Sequence, residues 1–152
     1  MSDASLRHEY DERVAIMDDA GDIEHPSVEA ALSMGLVRIA VCGGRTYGST
    51  KGTRKHFAQV MQRVREAHPR MVVVHGGAKG ADELAERWAS HYGVPSDPFP
   101  ADWDRFGKSA GPQRNRRMAR SQLLELVTFP GGAGTRDMTQ QCLQHDVPVH
   151  RV

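Results

Sequence analysis

The chain has 152 residues, 39% of them hydrophobic, so it can bury one ordinary core but not two. It has no apolar run of bilayer length and an acidic N-terminus, so we expect a cytoplasmic protein with no membrane contact and no signal peptide. Its two cysteines, Cys42 and Cys142, are too few for a disulfide framework and are not spaced as metal ligands, so both are expected to be buried, reduced thiols.

The net charge of +1 is divided unevenly along the chain. Residues 1–36 carry nine acidic residues against two arginines, for a net charge of −7, whereas the rest of the chain carries +8. We interpret 1–36 as an acidic, partly helical N-terminal extension with a solvated surface, which could also cover the basic surface of a second copy. Its apolar residues at near-helical spacing are Leu6, Tyr10, Val14 and Met17.

From Val37 onward, apolar runs end in glycines and are followed by amphipathic stretches, which is the βα alternation of a parallel sheet. The predicted strands are Val37–Cys42, Met71–His75, a short piece over Ser96–Phe99, Leu124–Phe129 and Val147–Val152. A helix is predicted after Gly43–Arg45, with an apolar face marked by residues from Phe57 to Ala67 and an end at Pro69. Further helices are predicted from Ala81 to Tyr92, from about Gly111–Pro112, and through Met138 and Cys142. Residues 37–152 are therefore predicted to form one Rossmann-like α/β domain, with a doubly wound, mainly parallel five-stranded sheet in the order 3-2-1-4-5.

Three of these strands are followed by glycine pairs, Gly43–Gly44, Gly76–Gly77 and Gly131–Gly132. A pair alone can serve only to reverse the chain. Three pairs at the carboxyl edge of a sheet predict a phosphate site, because glycine lets an anion approach the backbone N–H groups and the helix that follows. In the strongest loop, Gly131–Thr135, the threonine is expected to cap the helix and to offer its hydroxyl to a phosphate.

Other ligand classes have weaker support. No Walker loop or complete dinucleotide fingerprint is present, so no nucleotide cofactor of the usual dehydrogenase type is predicted. The eight histidines are scattered, so no metal site is predicted. His75, at a strand end beside the glycines, is expected to be a hydrogen-bonded structural residue.

A basic stretch precedes the fourth strand. Arginine suits bidentate phosphate recognition, and Gln113 and Asn115 add amides for a ribose or a base. At least half of these charges are expected to form a solvated face. The basic residues are Arg105, Lys108, Arg114, Arg116, Arg117 and Arg120.

Five motifs occur in order along the domain: Gly43–Arg45, His75–Asp82, Pro100–Lys108, Gly111–Asn115 and Phe129–Thr135. This series resembles the SLOG superfamily, a Rossmann-like group that includes the lonely-guy phosphoribohydrolases and the DNA-processing protein DprA, and within it the YspA/YpsA-related branch. The resemblance implies a nucleotide or phosphoribosyl ligand and a homodimer. The candidate ligand-binding residues are Gly43, Gly44, Arg45, Gly76, Gly77, Lys79, Asp82, Asp102, Trp103, Asn115, Arg117, Gly131, Gly132, Gly134 and Thr135.

The phosphoribohydrolase signature, Pro-Gly-Gly-x-Gly-Thr-x-x-Glu, is incomplete here, because the count from Pro130 places Met138 at the glutamate. Cleavage of an N-glycosidic bond needs a carboxylate to stabilise the ribose cation or to activate water. Asp137, about 100° away around a helix, and Arg114 are the candidate catalytic pair. Asp82 and Asp102 are alternative carboxylates and Arg117 is an alternative arginine. Trp103 is expected either to stack on a base or to anchor its loop.

Three functions therefore stay open. The first is nucleotide binding with hydrolysis of the N-glycosidic bond of a nucleoside monophosphate. The second is a non-catalytic sensor or sequestering protein for a nucleotide signal, which the missing glutamate favours. The third is binding of single-stranded DNA, which the +8 charge favours and the 6% aromatic content disfavours.

Overall fold

The computed structural model describes residues 3–152, which contain a five-stranded sheet with helices on both faces. The strands are β1 (Val37–Cys42), β2 (Met71–His75), β3 (Ser96–Pro98), β4 (Glu125–Thr128) and β5 (Val149–Arg151). All neighbouring pairs are parallel, and the strand order is β3-β2-β1-β4-β5. The predicted Rossmann-like fold and strand order are confirmed. The direction of winding reverses between β1 and β4, which is where such sheets usually bind ligands.

Helices occupy the predicted helical intervals, and a short helix and a 3₁₀ turn also lie between residues 100 and 110, where a loop was predicted. The helices are α1 (Asp3–Ala20), α2 (Pro26–Ser33), α3 (Lys51–Ala67), α4 (Ala81–Tyr92), α5 (Trp103–Phe106), α6 (Ala110–Ala119) and α7 (Ala133–Gln144), with a 3₁₀ turn over Gly107–Ser109. Strand β5 is shorter than predicted because Val147 donates its N–H to the carbonyl of Cys142 at the end of α7 and so belongs to the turn.

Each face of the sheet has its own hydrophobic core, because successive side chains of a strand point to opposite faces. Ile39 and Val41 of β1 pack with α3 and α4, whereas Ala40 and Cys42 pack with α1, α2, α6 and α7. Strand β2 is buried along its whole length. This continuous burial is typical of a central parallel strand, and it explains why β2 is apolar up to His75 and why β1 is apolar apart from Arg38.

The N-terminal helix α1 contributes to the core that contains Ala40 and Cys42, which we call the second core. Leu6 and Tyr10 are buried there, and the Tyr10 hydroxyl donates to the carbonyl of Ser27 at 3.2 Å. Val14 and Met17 pack partly against the same core, while the acidic residues from Glu9 onward in α1 are exposed. The division of the chain at residue 36 stays a prediction.

A buried ion pair fixes the edge of the sheet next to α1. Arg38 of β1 is 1% exposed and donates to the Asp97 carboxylate of β3 at 2.7 Å. The same guanidinium donates to the backbone and side-chain oxygens of Ser121 at 2.8 and 3.0 Å. These bonds satisfy the buried charge and tie β1, β3 and the turn after α6 together.

The two cysteines are free and buried, as predicted. Among residues 3–152, no helix has the length and apolarity needed to cross a membrane. In the same described part of the chain, no three His, Cys, Asp or Glu residues are placed to hold a metal ion.

Candidate functional site

A cleft of about 1090 Å³ opens at the carboxyl ends of β1, β2 and β4. The loops after these strands form one side, and α5, α6 and the 3₁₀ turn form the other. The predicted residues that line it are Gly43, Gly44, Arg45, Gly76, Asp82, Trp103, Arg114, Asn115, Gly131, Gly132, Gly134, Thr135 and Asp137. The structure thus brings most of the predicted residues together at the expected edge.

Three of the cleft glycines are required by packing between loops. Gly44 donates its N–H to the carbonyl of Pro130 at 2.9 Å, which joins the loop after β1 to the loop after β4, and a Cβ on Gly44 would lie 3.1 Å from that carbonyl oxygen and from the Cα of Gly131. A Cβ on Gly131 would collide with the Thr135 hydroxyl and lie 2.6 Å from the nitrogen of Gly44. A Cβ on Gly43 would lie 2.6 Å from that of Ala81. These glycines bring backbones together, as at close turns generally.

Two other glycines leave the backbone of the cleft uncovered. A Cβ on Gly132 or Gly134 would meet no atom within 4 Å. Gly132 precedes α7, and none of the side chains described in the structure caps the first turn of that helix. The first backbone N–H groups of a helix lack partners within it and carry the positive end of its dipole. The uncapped first turn of α7 lines the cleft and suits a phosphate group.

The expectation that Thr135 caps α7 is wrong. The helix begins two residues earlier, so Thr135 is its third residue. Its carbonyl accepts a bond from the Thr139 hydroxyl at 2.9 Å, as in the interior of a helix. The Thr135 hydroxyl lies against Gly131 and still lines the cleft.

The predicted catalytic pair lies in one hydrogen-bonded network. Arg114 of α6 donates to the carbonyl of Gly76 and, through Nε, to Oδ1 of Asn115 at 2.9 Å. Asn115 donates through Nδ2 to the Asp137 carboxylate of α7 at 2.9 Å. Because Nε of arginine can only donate, the amide of Asn115 has a fixed orientation. Asn115 therefore bridges an arginine and a carboxylate that are both exposed to the cleft.

The carboxylate of Asp82, in the first turn of α4, accepts hydrogen bonds from the loop that precedes the helix. It is 6% exposed and accepts the N–H groups of Gly76 and Ala78 at 3.1 and 3.3 Å. Burial raises the pKa of Asp82, and these two bonds and the nearby Arg114 and His75 counteract part of that effect. Burial also lowers the pKa of Arg114, with Asp82 opposing the shift. The two groups stabilise each other's charged form at the end of β2.

Trp103 and Arg45 form the rim of the cleft. Trp103 is 48% exposed, and the Arg45 guanidinium lies 5.9 Å from its ring centroid. The indole also covers Gly111, where a Cβ would lie 3.1 Å from the ring. Trp103 therefore contacts the neighbouring helix while keeping an open face, and base stacking by this residue stays a prediction.

Four predicted residues do not line the cleft. Asp102 caps α5 by accepting the N–H of Arg105 at 3.1 Å. Arg117 is exposed and donates to the carbonyl of Pro100 at 3.3 Å. Gly77 and Lys79 lie in the loop after β2 and do not line the cleft.

The residue at the glutamate position has an apolar environment. Met138 is 1% exposed and packs into the second core, where it forms part of the cleft floor. Its side chain supplies neither a charge nor a proton acceptor. Asp137, the preceding residue of α7, is the carboxylate of that helix that lines the cleft.

Several lining residues were not predicted, among them Cys42, Tyr47 and Thr53. Burial raises the pKa of the Cys42 thiol to about 12, so this thiol is not a nucleophile at neutral pH. The Tyr47 ring packs on Phe129 with centroids 5.1 Å apart, forming an aromatic wall. The rule that pointed to the glycines, proximity to the carboxyl end of β1, also applies to Cys42 and Tyr47.

Comparison with known proteins agrees with this architecture. Residues 37–106 match the family described as "YAcAr: YspA, cpYpsA-related SLOG family". The Gene 61 protein of Mycobacterium phage D29 is 40% identical over 86 residues, which are 52% of this chain and 69% of that protein.

Two crystal structures share the fold. TM1055 superposes with a TM-score of 0.61 at 15% identity, covering 75% of this chain and 72% of its own. The DNA processing protein A (DprA) of Streptococcus pneumoniae superposes with a TM-score of 0.60 at 19% identity, covering 80% of this chain and 52% of its own.

Proposed function

The chain belongs to the YspA, cpYpsA-related SLOG family, and we propose that its cleft binds a nucleotide or a nucleotide-derived phosphoribosyl ligand. The observation that carries this proposal is the uncapped first turn of α7, which lines the cleft beside the open Gly132 and Gly134. Backbone N–H groups and a helix dipole at such a turn favour a phosphate.

The position of Asp137 supports a ribose next to that phosphate. Asp137 lies four residues after Ala133, the first residue of α7, and therefore about one turn, or about 5 Å, further along the same side of the helix. A carboxylate at that distance can accept hydrogen bonds from ribose hydroxyls. Asn115 holds one of its oxygens and so fixes its orientation.

The rest of the cleft suits the remainder of a nucleotide. Its volume of about 1090 Å³ is sufficient, since small-molecule sites typically measure about 300–1,000 Å³. Tyr47 and Trp103 offer aromatic surface for a base, and Arg45 and Lys108 add positive charge.

Hydrolysis of the bound nucleotide is the second candidate function, and the placement of Asp137 in the cleft beside Arg114 favours it. In that reaction the C1′–N bond breaks, water supplies the oxygen of a new C1′–O bond, and the base leaves with a proton. Asp137 would stabilise the positive charge that develops on the ribose. The buried Met138 favours the binding function alone, because it leaves the site without the family signature's glutamate.

DNA binding stays a prediction. Arg116, Arg117 and Arg120 are exposed, which is compatible with contact to phosphates. Arg117 and Arg120 also make local bonds, to Pro100 and to His145.

Calorimetric titration of the full chain with a panel of nucleoside 5′-monophosphates, followed by chromatography of the mixture, tests both functions. We expect one saturable site, and we expect Gly132→Val to weaken it at least about tenfold by covering the start of α7. Recovery of intact ligand identifies a binding protein. Release of free base that Asp137→Asn abolishes, with binding retained, identifies a hydrolase. Absence of saturable binding to every member of the panel would contradict the proposal.

A further inference from the structure

A continuous chain of side-chain hydrogen bonds runs from α1 to the loop after β2. Arg7 of α1 pairs with Oε2 of Glu86 in α4 at 2.9 Å. The other carboxylate oxygen, Oε1, lies 2.8 Å from Nε2 of His75. At the far side of the imidazole, Gly77 donates its backbone N–H to Nδ1 of His75 at 3.1 Å. The site described above does not use this chain.

The protonation of the imidazole follows from its partners. A backbone N–H can only donate, so Nδ1 of His75 carries no proton and Nε2 carries one, which it donates to Glu86. His75 is 3% exposed, so its ring is shielded from water, whereas the Glu86 side chain is partly exposed. Partial burial alone would raise the pKa of Glu86, but bonds from His75, Ser96 and Arg7 lower it, which keeps an ionised acceptor in place.

The end of this chain, the amide of Gly77, lies between two residues that line the cleft, Gly76 and Ala78. Gly77 adopts φ +70°. In the residue before it, Gly76, the carbonyl accepts a hydrogen bond from the Arg114 guanidinium and the N–H donates to the Asp82 carboxylate. The amide held by His75 is thus one residue from the carbonyl that holds Arg114. Arg7 also donates to the carbonyl of Val94 at 2.7 Å, so α1 contacts both the middle of α4 and the turn that follows it.

We propose that Arg7, Glu86 and His75 are positioning residues, through which the docking of α1 fixes the loop Gly76–Gly80 and so sets the affinity of the cleft for its ligand. This inference rests on the proposed ligand site. It makes the N-terminal helix part of the ligand-binding structure, although none of the residues from Leu6 to Ala20 in α1 lines the cleft. By linkage, a ligand that orders the loop also stabilises the docked helix.

The test compares two arginines of the same helix. Arg7→Ala breaks the chain at its start, whereas Arg13→Ala removes a bond to the Ser33 hydroxyl that has no connection to the loop. We expect Arg7→Ala and Glu86→Ala to speed amide hydrogen exchange in Gly76–Gly80 by about three- to tenfold without ligand, with Arg13→Ala at the wild-type rate. Amides of β1 serve as the internal reference for global unfolding.

Two further readouts separate positioning from general stability. Glu86→Gln keeps an acceptor for Nε2 of His75 but turns an amide NH₂ group toward Arg7, so its loop is expected to exchange no faster than in Arg7→Ala and more slowly than in Glu86→Ala. The dissociation constant for adenosine 5′-monophosphate is expected to rise in Arg7→Ala by about the same factor as the exchange rate, and to stay unchanged in Arg13→Ala.

Wild-type exchange rates in Arg7→Ala and Glu86→Ala would overturn the proposal, and so would faster exchange with unchanged affinity. Failure of the wild type to bind any nucleoside monophosphate would instead contradict the proposed function. The exchange comparison needs no ligand, so it decides on its own whether α1 holds the loop.

Discussion

Gly131 and Gly132 are adjacent in sequence but have opposite surroundings. A Cβ at Gly131 would meet the Thr135 hydroxyl and the nitrogen of Gly44, whereas one at Gly132 would meet nothing within 4 Å. We expect Gly131→Ala to lower the free energy of unfolding by about 1–3 kcal/mol, as overpacking does, and Gly132→Ala to change it by less than about 0.5 kcal/mol. Denaturant titration of both variants checks this. Equal effects would contradict the division of the glycines into packing and ligand-facing groups.

Asp82 gives a prediction about pH. The pKa of Asp82 is raised in the folded protein above the ordinary 3.8. At any pH between the ordinary pKa and the raised one, the folded protein holds a proton that the unfolded chain has released, so folding takes up a proton. In that interval the contribution of Asp82 to the free energy of unfolding falls with rising pH, and it is constant above the raised pKa. Asp82→Asn lacks this dependence.

Denaturant titrations of wild type and Asp82→Asn between about pH 3.5 and pH 7 measure the effect. The stability of the wild type relative to Asp82→Asn is expected to fall as the pH rises and then to level off. A rising difference would mean that hydrogen bonds, rather than burial, dominate the environment of Asp82.

At the residue scale, the sequence predicts which residue types collect at the cleft but not how they pair. Arg114 and Asp137 were expected to lie close together at the carboxyl edge of the sheet, and both line the cleft there; their role toward a ligand stays a prediction. The bridge through Asn115 joins residues 22 positions apart, and its existence depends on how α6 and α7 pack. The bond between His75 and Glu86 likewise spans β2 and α4, and no local pattern predicts it.

The orientation of α7 determines the environment of Met138, the residue at the glutamate position. Met138 is packed in the core beneath the cleft and forms part of its floor, whereas Asp137 is partly exposed and projects into the cleft. We expect Met138→Glu to lower the free energy of unfolding by at least about 2 kcal/mol, because it buries a carboxylate, and to create no hydrolytic activity. Met138→Leu, which conserves volume, should cost less than about 1.5 kcal/mol. A stable Met138→Glu variant that releases base would show that the glutamate position faces the ligand.

At the scale of elements, burial explains which boundaries were predictable. The ends of β1 and β2 were predicted to the residue, because both strands are buried on both faces and end at glycines. The start of α7 was predicted less well, since Thr135 is a good capping residue. Contact between Gly131 and Gly44 fixes the loop so that the helix begins earlier.

At the scale of the molecule, α1 supports the core. Leu6 and Tyr10 fill the face of the sheet that α2, α6 and α7 also cover, so the helix does more than present acidic charge. We expect Leu6→Ala to cost about 2–3 kcal/mol of unfolding free energy. Deletion of residues 1–20 should lower the midpoint of thermal unfolding further, by exposing the apolar surface beneath the helix. An unchanged midpoint would show that α1 only rests on the surface.

The contribution of α1 to the core was only partly predictable. The spacing of Leu6, Tyr10, Val14 and Met17 predicts a helix, but the acidic residues around them favoured an exposed extension. The homodimer stays a prediction, and light scattering of the full chain measures it.

Phosphate binding at the first turn of α7 can be observed in the amide spectrum of isotopically labelled full-length protein during titration with a nucleoside 5′-monophosphate. If the first turn of α7 holds the phosphate, the largest saturable shifts will occur at Ala133, Gly134 and Thr135, with smaller ones in the loops after β1 and β2. Gly132→Val should abolish them. Shifts confined to the exposed arginines of α6, or equal in wild type and Gly132→Val, would contradict the account.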